Sequence, residues 1–411
     1  MDPIPNAGSF IRPSAHVIQG VSFLNALHSK YIESFHGSST QEKIILGSSN
    51  GAIEVEAVNL DKIRGKFAKL ERLREVSLEN EFVAKTDPLG MIRSACPNIR
   101  GLNLSTSLLP NWLIVADIAV ELPVLQSISL NRNRLQIPSN FGNMPTAFPN
   151  VTTLELNGTL TTWPELQFII SFMPKLIVVE MGHNKISQLT LAEGPTASES
   201  LINTLNLESN NISDWIELTR ALGQYHHLER LILSSNNIEK ITIPDEGLPL
   251  LYGLKYLSLS FNQLRLWEDV DTLSLWCPSL SSVSLNGNPV SDSKYILYFL
   301  RKYHSLTPVT DGQGDEARHT RAFTIARIPT LQTLDSTTIT PKERTDSELF
   351  YLSWISQHFQ FDGDPESVAY QNALIRQHPR WEELCKKHGT PDVAPRPVKR
   401  QDNLNSKLIG K

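Results

Sequence analysis

Apolar positions along the chain fall into one spaced set. From Leu73, the pattern L-x-x-L-x-L-x-x-N-x-L places apolar residues at Leu73, Val76, Leu78 and Val83. It returns at Ile99, Leu125, Val151, Leu176, Ile202, Leu228, Leu254 and Leu280. The steps are 26 residues, except for one of 25 between Val151 and Leu176. Chance does not hold that register over nine units, and a fixed period of this length marks a solenoid. Pattern positions four and six alternate along a short strand, so both point into a core; positions three, five and seven point the other way.

The expected fold class is therefore α/β, a leucine-rich-repeat solenoid with a parallel β-sheet on its concave side and mixed helix and coil on its convex side. Position nine supplies the turn after each strand. Six repeats carry asparagine there: Asn133, Asn184, Asn210, Asn236, Asn262 and Asn288. Its amide can satisfy backbone groups that the turn leaves unpaired. Glu81, Ser107 and Thr159 stand there in the first, second and fourth repeats. Pro97, Pro123, Pro149, Pro174 and Pro278 each lie two residues before a repeat start, where proline favours extended backbone.

The convex side is expected to alternate. Trp112, Trp163, Trp215 and Trp267 each begin a helical pattern in every second repeat. The repeats from Leu125, Leu176 and Leu228 have Pro- and Gly-containing loops instead, such as Pro138 to Pro145 and Pro244 to Pro249. The tryptophans read as packing residues between helices rather than a contact stripe.

Outside the repeats, Ser22 to Ile32 reads as a short amphipathic helix. Glu42 to Gly47 and Ala52 to Val58 read as a hairpin around Asn50-Gly51, covering the first repeat. Ile328 to Asp335 reads as a last, degenerate strand, after helices in Ser291 to Arg327 around a loop at Thr310 to Asp315. Thr340-Pro341-Lys342-Glu343 predicts a helix opened by a capping box. Further helices are expected from Asp364-Pro365 and over Pro379 to His388, the latter stopped by Gly389. The predicted organisation is 14–70 an N-terminal cap, 71–340 the solenoid, 341–390 a helical cap and 391–411 a linker.

Composition narrows the function. The 411 residues divide into two or three average domains, at about 150 residues each. The net charge of −5 argues against a protein that lives on nucleic-acid phosphates. No stretch approaches the ~18 apolar residues of a membrane span, and Met1 to Asn6 has no signal-peptide character. Cys96, Cys277 and Cys385 form neither a disulfide framework nor a tetrahedral metal site, which fits a reducing compartment. Cys96 and Cys277 share one repeat position seven repeats apart, about 34 Å at strand spacing, too far to pair. No nucleotide, hydrolase or metalloprotease motif occurs, so neither an enzyme, a metal nor a cofactor is expected. His226-His227 has no ligand partner at metal spacing.

What remains is surface. Positions three, five and seven are small and polar, with an acidic centre at Glu155, Glu180 and Glu208 and an aromatic region at Tyr256 and Phe261. With Arg132 and Arg230, these are the candidate protein-binding residues, because solenoids bind through their concave face and aromatic anchors carry most interface energy.

Several segments resemble one family. Gly8-Ser9-Phe10-Ile11-Arg12-Pro13 is similar to the closing segment of a CAP-Gly domain, so 1–13 reads as its remnant. Leu73 to Leu78 and Ala95 to Arg100 resemble the first repeats of the tubulin-folding cofactor E family. Asn288-Pro289-Val290 and Ala326 to Arg344 resemble its repeat cap. His378-Pro379-Arg380-Trp381 with His388-Gly389-Thr390-Pro391 resembles its segment before a ubiquitin-like domain, which Asn405 to Lys411 would begin. The resemblance implies a cytoplasmic, cytoskeleton-associated chaperone that binds α-tubulin. It would act with tubulin cofactors B, C and D on the αβ-tubulin heterodimer, without nucleic acid or membrane. The alternative is a regulatory repeat subunit for an enzyme such as a phosphatase.

Overall fold

The structure, a computed structural model, describes residues 20–33, 43–48, 51–56, 69–190, 200–291, 315–359 and 367–391. The expectations for 1–13, for the loop from Thr310 up to residue 314, for a helix start at Asp364-Pro365 and for the tail after residue 391 lie outside these residues.

Each repeat contributes a three-residue strand at pattern positions three to five. The strands Glu75–Ser77, Gly101–Asn103, Ser127–Ser129, Thr153–Glu155, Val178–Glu180, Thr204–Asn206, Arg230–Ile232, Tyr256–Ser258 and Ser282–Ser284 stack in chain order. All are parallel, and each residue pairs with the same pattern position in its neighbour. The 25-residue step leaves this register intact: Thr153, Leu154 and Glu155 still face Val178, Val179 and Glu180. Thr333–Leu334 adds a tenth parallel strand and Thr337–Thr338 closes the sheet antiparallel. Positions one, four and six are buried throughout, from Leu73, Val76 and Leu78 to Leu280, Val283 and Leu285. This is the leucine-rich-repeat solenoid that the spacing predicts.

The asparagines at position nine form one internal ladder. Each amide donates to the position-six carbonyl of its own repeat and of the one before. Asn236, for example, reaches Leu233 O at 3.0 Å and Leu207 O at 2.9 Å. From Asn210 onward, each carbonyl accepts a backbone N–H two residues past the preceding asparagine, as Ile212 N to Asn236 Oδ1 at 3.0 Å. Thr159 makes part of this set, its hydroxyl lying 2.8 Å from Leu156 O and 3.1 Å from Asn184 Oδ1. At the far end Asp335 takes over, accepting from Leu285 N at 2.8 Å.

Helices begin at all four tryptophans: Trp112–Ala119, Trp163–Ile170, Trp215–Leu222 and Trp267–Trp276. Asn111, Thr162 and Asp214 cap the first three, each accepting backbone N–H groups of the first turn. Trp112, Trp163 and Trp215 are buried and stand edge-on to Phe148, Tyr225 and Trp276, at 6.3–6.4 Å between ring centres. They therefore sew neighbouring and alternate repeats together. The third repeat departs from the expected coil, because Met144–Ala147 forms one helical turn with Pro145 near its start. Cys96 and Cys277 are free and fully buried, which pushes both thiols up to about 12.

At the N-terminal end, strand Val21–Ser22 pairs with Val83–Lys85 beside helix Phe23–Tyr31, whose Phe23 and Leu27 enter the core. The hairpin Lys43–Ser48 and Gly51–Glu56 forms a sheet of its own. Ser48 pairs with Gly51, so Gly51 begins the second strand, while residue 50 of the expected Asn50-Gly51 turn lies outside the described residues.

At the other end, helices Asp315–Arg327, Pro341–His358, Val368–Gln377 and Trp381–His388 share a second core of Phe323, Tyr351, Leu352, Ile355, Phe359, Leu374 and Leu384. Thr340 caps the long helix, its hydroxyl accepting from Glu343 N at 3.1 Å, and the Glu343 carboxylate also accepts from Arg321 at 2.6 Å. The last helix starts at Trp381, two residues after the expected Pro379, and ends at Gly389 with φ of +87°. Arg327 fastens this unit to the solenoid. It is buried, pairs with Asp271, and lies 5.3 Å from the Trp267 ring centre and 5.2 Å from that of Tyr351.

Candidate protein-binding face

The sheet leaves positions three, five and seven on its open face, and the turn adds position eight beside them. All nine repeats hold position eight in the left-handed region: Asn80, Thr106, Arg132, Gly158, His183, Ser209, Ser235, Phe261 and Gly287, with φ between +52° and +76°. In eight of the nine repeats, all but that of Gly287, a backbone bond accompanies this conformation. The position-eight N–H donates to the position-seven carbonyl of the next repeat, as Arg132 N to Asn157 O and Phe261 N to Asn286 O, both 2.8 Å. The reversal lets position nine turn inward and sends the preceding side chain out along the rim. Sequence gives little sign of it, since only Asn80, Gly158 and Gly287 are residues that favour this conformation.

The candidate residues fall into two groups. Glu155 and Glu180 are direct partners on adjacent strands, and Asn206 follows in the same row on the next strand. Asn131 donates to Glu155 at 2.9 Å and Asn206 to Glu180 at 2.6 Å. Glu208 stands two residues beyond Asn206, with His183 Nε2 3.8 Å from its carboxylate. Burial, then the charges of Glu155 and Glu208, raise Glu180 above the usual carboxylate range against the Asn206 hydrogen bond. In the second group the Arg230 guanidinium lies 3.6 Å from the Tyr256 ring centre on the neighbouring strand. Half-buried Ile232 adjoins them, and Phe261 projects from the rim one repeat further. Arg132 stands apart from both groups, its side chain running beside Gly158.

Like charges directly opposite in a sheet destabilise it. Glu180→Gln is expected to keep the Asn206 contact and raise stability by roughly 0.5–1 kcal/mol, measured by urea unfolding. Because the folded carboxyl titrates above its unfolded value, the gain should be largest at neutral pH. It should vanish as pH falls below the unfolded value, where both forms are protonated. A gain that is the same at pH 7 and pH 4 would contradict the electrostatic cause.

Among the described residues there is no group of three or more histidine, cysteine or acidic side chains placed to hold a metal. No described helix is long and apolar enough to cross a membrane. Strand register, the buried asparagine ladder and a polar open face with aromatic and charged outcrops define a leucine-rich-repeat solenoid.

The chain belongs to the tubulin-specific chaperone E family. It is 33% identical over 398 residues to bovine tubulin-specific chaperone E, covering 94% of this chain and 70% of that protein. The human protein of that name is 32% identical over 397 residues, at 94% and 69%. Tubulin-folding cofactor E of Arabidopsis thaliana is 26% identical over 396 residues, at 94% and 68%. No family model matches the chain. Among solved structures, an internalin C2 from Listeria monocytogenes covers 50% of this chain and 78% of its own at 21% identity, with a TM-score of 0.34. Strand register and the asparagine ladder define the fold.

Proposed function

We propose that the protein is a tubulin-folding cofactor, a non-enzymatic cytoplasmic chaperone that binds α-tubulin on the open face of its solenoid. It assists assembly and dissociation of the αβ-tubulin heterodimer together with tubulin cofactors B, C and D. The observation that carries this reading is the similarity over 94% of the chain to proteins named for that role. The geometry supports it in kind. Most side chains at positions three, five and seven are small, so a folded partner can approach the backbone closely between the larger ones. The larger outcrops, Arg230 with Tyr256 and Phe261, offer anchor points.

The test is binding of purified α-tubulin, as the native heterodimer, to the full chain. An unrelated leucine-rich-repeat protein serves as the control. Saturable association seen only with this chain supports the reading. Retention no greater than the control overturns it.

A further inference from the structure

Phe261 has two features that folding alone does not explain, which Phe82 in the first repeat shares at 40% exposure and φ +54°. It is 65% exposed, so its ring gains little from the hydrophobic effect. It also occupies the left-handed region at φ +57°, where a bulky side chain strains the backbone. Every other repeat meets the same requirement with a smaller or polar residue. The ring is also located by its surroundings. A Cβ on Gly287, the same position in the next repeat, would fall 2.5 Å from the Phe261 ring, so glycine there makes the room the ring occupies.

The charge of the face adjoining the ring is lopsided. Positions three, five, seven and eight of the nine repeats hold five glutamates and two arginines. One of those arginines lies over Tyr256. The carboxylates of Glu155, Glu180 and Glu208 occupy the fourth to sixth repeats, and Phe261 belongs to the eighth. At about 4.8 Å per strand, the anchor lies roughly 10 Å from the near end of that acidic lane.

We infer that Phe261 is the apolar anchor of the interface, inserting into a recess of a folded partner that presents Lys or Arg side chains beside it, over Glu155, Glu180 and Glu208. This rests on the reading of the open face as the tubulin-binding surface and adds which residue carries the affinity and what chemistry the partner must show. The anchor gives affinity through buried ring area, and the lane gives orientation and association rate through charge.

The experiment measures affinity of the full chain for purified αβ-tubulin at two ionic strengths, with three variants. Phe261→Gly suits the backbone and removes the ring. It should keep or raise the melting temperature and weaken binding about thirtyfold. Phe261→Leu, which keeps an apolar group, should fall between the two. Wild-type binding should weaken with salt, and the combined Glu155→Gln, Glu180→Gln and Glu208→Gln variant should bind more weakly and lose most of that salt dependence.

If Phe261→Gly binds within twofold of wild type while the glutamine variant binds weakly, the face still engages tubulin and the anchor is refuted. If salt leaves wild-type affinity unchanged, the basic partner surface is refuted. If neither variant alters affinity, tubulin binds elsewhere, and both the anchor and the open-face reading fall.

Discussion

Asn210→Ala should cost the solenoid about 3 kcal/mol, although the side chain touches no partner and lies on no surface. Asn210 is buried, and its amide donates to Met181 O at 3.0 Å and Leu207 O at 2.9 Å. Its carbonyl accepts from Asn184 N and Ile186 N, both at 3.0 Å. Alanine withdraws the acceptor from two buried N–H groups at once, and burial shuts out the water that could replace it. The damage should be local, because a repeat protein's stability is a sum over neighbouring units. Amide exchange should accelerate at Asn184 and Ile186 and change little in the repeats from Leu254 onward. Asn211→Ala, at the exposed neighbouring position, is the control and should stay within about 0.5 kcal/mol of wild type. A cost below about 1 kcal/mol for Asn210→Ala would mean that the ladder accompanies the turn rather than holding it.

This ladder was legible in the sequence, and the reason is physical. A buried amide that must satisfy backbone groups at a fixed turn can be replaced by few residues, so the requirement appears as a letter at a fixed interval. The helix starts were legible through tryptophans recurring in every second repeat, and the structure shows Asn111, Thr162 and Asp214 just before three of them accepting first-turn N–H groups. The left-handed rim was not legible. A backbone bond from the position-eight N–H to the next repeat accompanies that conformation in the first eight repeats, and serine, threonine, histidine, arginine and phenylalanine all appear there. The ion pair of Glu343 with Arg321 was not legible, because its partner lies 22 residues upstream and is brought close only by the folded cap.

Within the open face, the three acidic candidates could be placed together because the register of the repeats is fixed. Their energetic tension became visible only with the strands paired, since it depends on Glu155 lying directly opposite Glu180. The stacking of Arg230 on Tyr256 likewise joins two residues 26 apart that share one pattern position. The face thus keeps two features that work against stability, a cross-strand carboxylate pair and a strained exposed phenylalanine. Folding does not require either, which is the pattern expected where a surface is shaped by what it must bind.

Glu348→Ala should release the C-terminal helices from one another. Glu348 lies in the third turn of helix Pro341–His358 and is 1% exposed. Lys387 Nζ and His388 Nε2, from the last helix, each donate to its carboxylate at 2.7 Å. Arg344 and Arg380 stand 3.8 and 3.7 Å from its other oxygen. Burial alone would raise this carboxyl. The hydrogen bonds from Lys387 and His388 and the charges of Lys387 and Arg380 outweigh it, and hold Glu348 below the usual range. Alanine leaves those basic groups crowded around a vacated carboxylate, and removing one partner from a buried ionic cluster typically costs about 3–5 kcal/mol. Trp381–His388 should lose amide protection while the strands from Glu75 to Ser284 keep theirs, because the solenoid's core is separate from the helical one. Acid should imitate the mutation. The folded carboxyl titrates below its unfolded value of about 4.3, so its contribution is complete above that pH and is lost as pH falls through the folded value. Limited proteolysis between pH 7 and pH 3 should therefore show cleavage in residues 367–391 increasing toward acid in the wild type. Glu348→Ala should be cleaved there already at pH 7 and show a much weaker pH dependence. Equal protection of the last helix in both proteins at pH 7 would show that apolar packing of Leu374 and Leu384 holds the cap without the charge cluster.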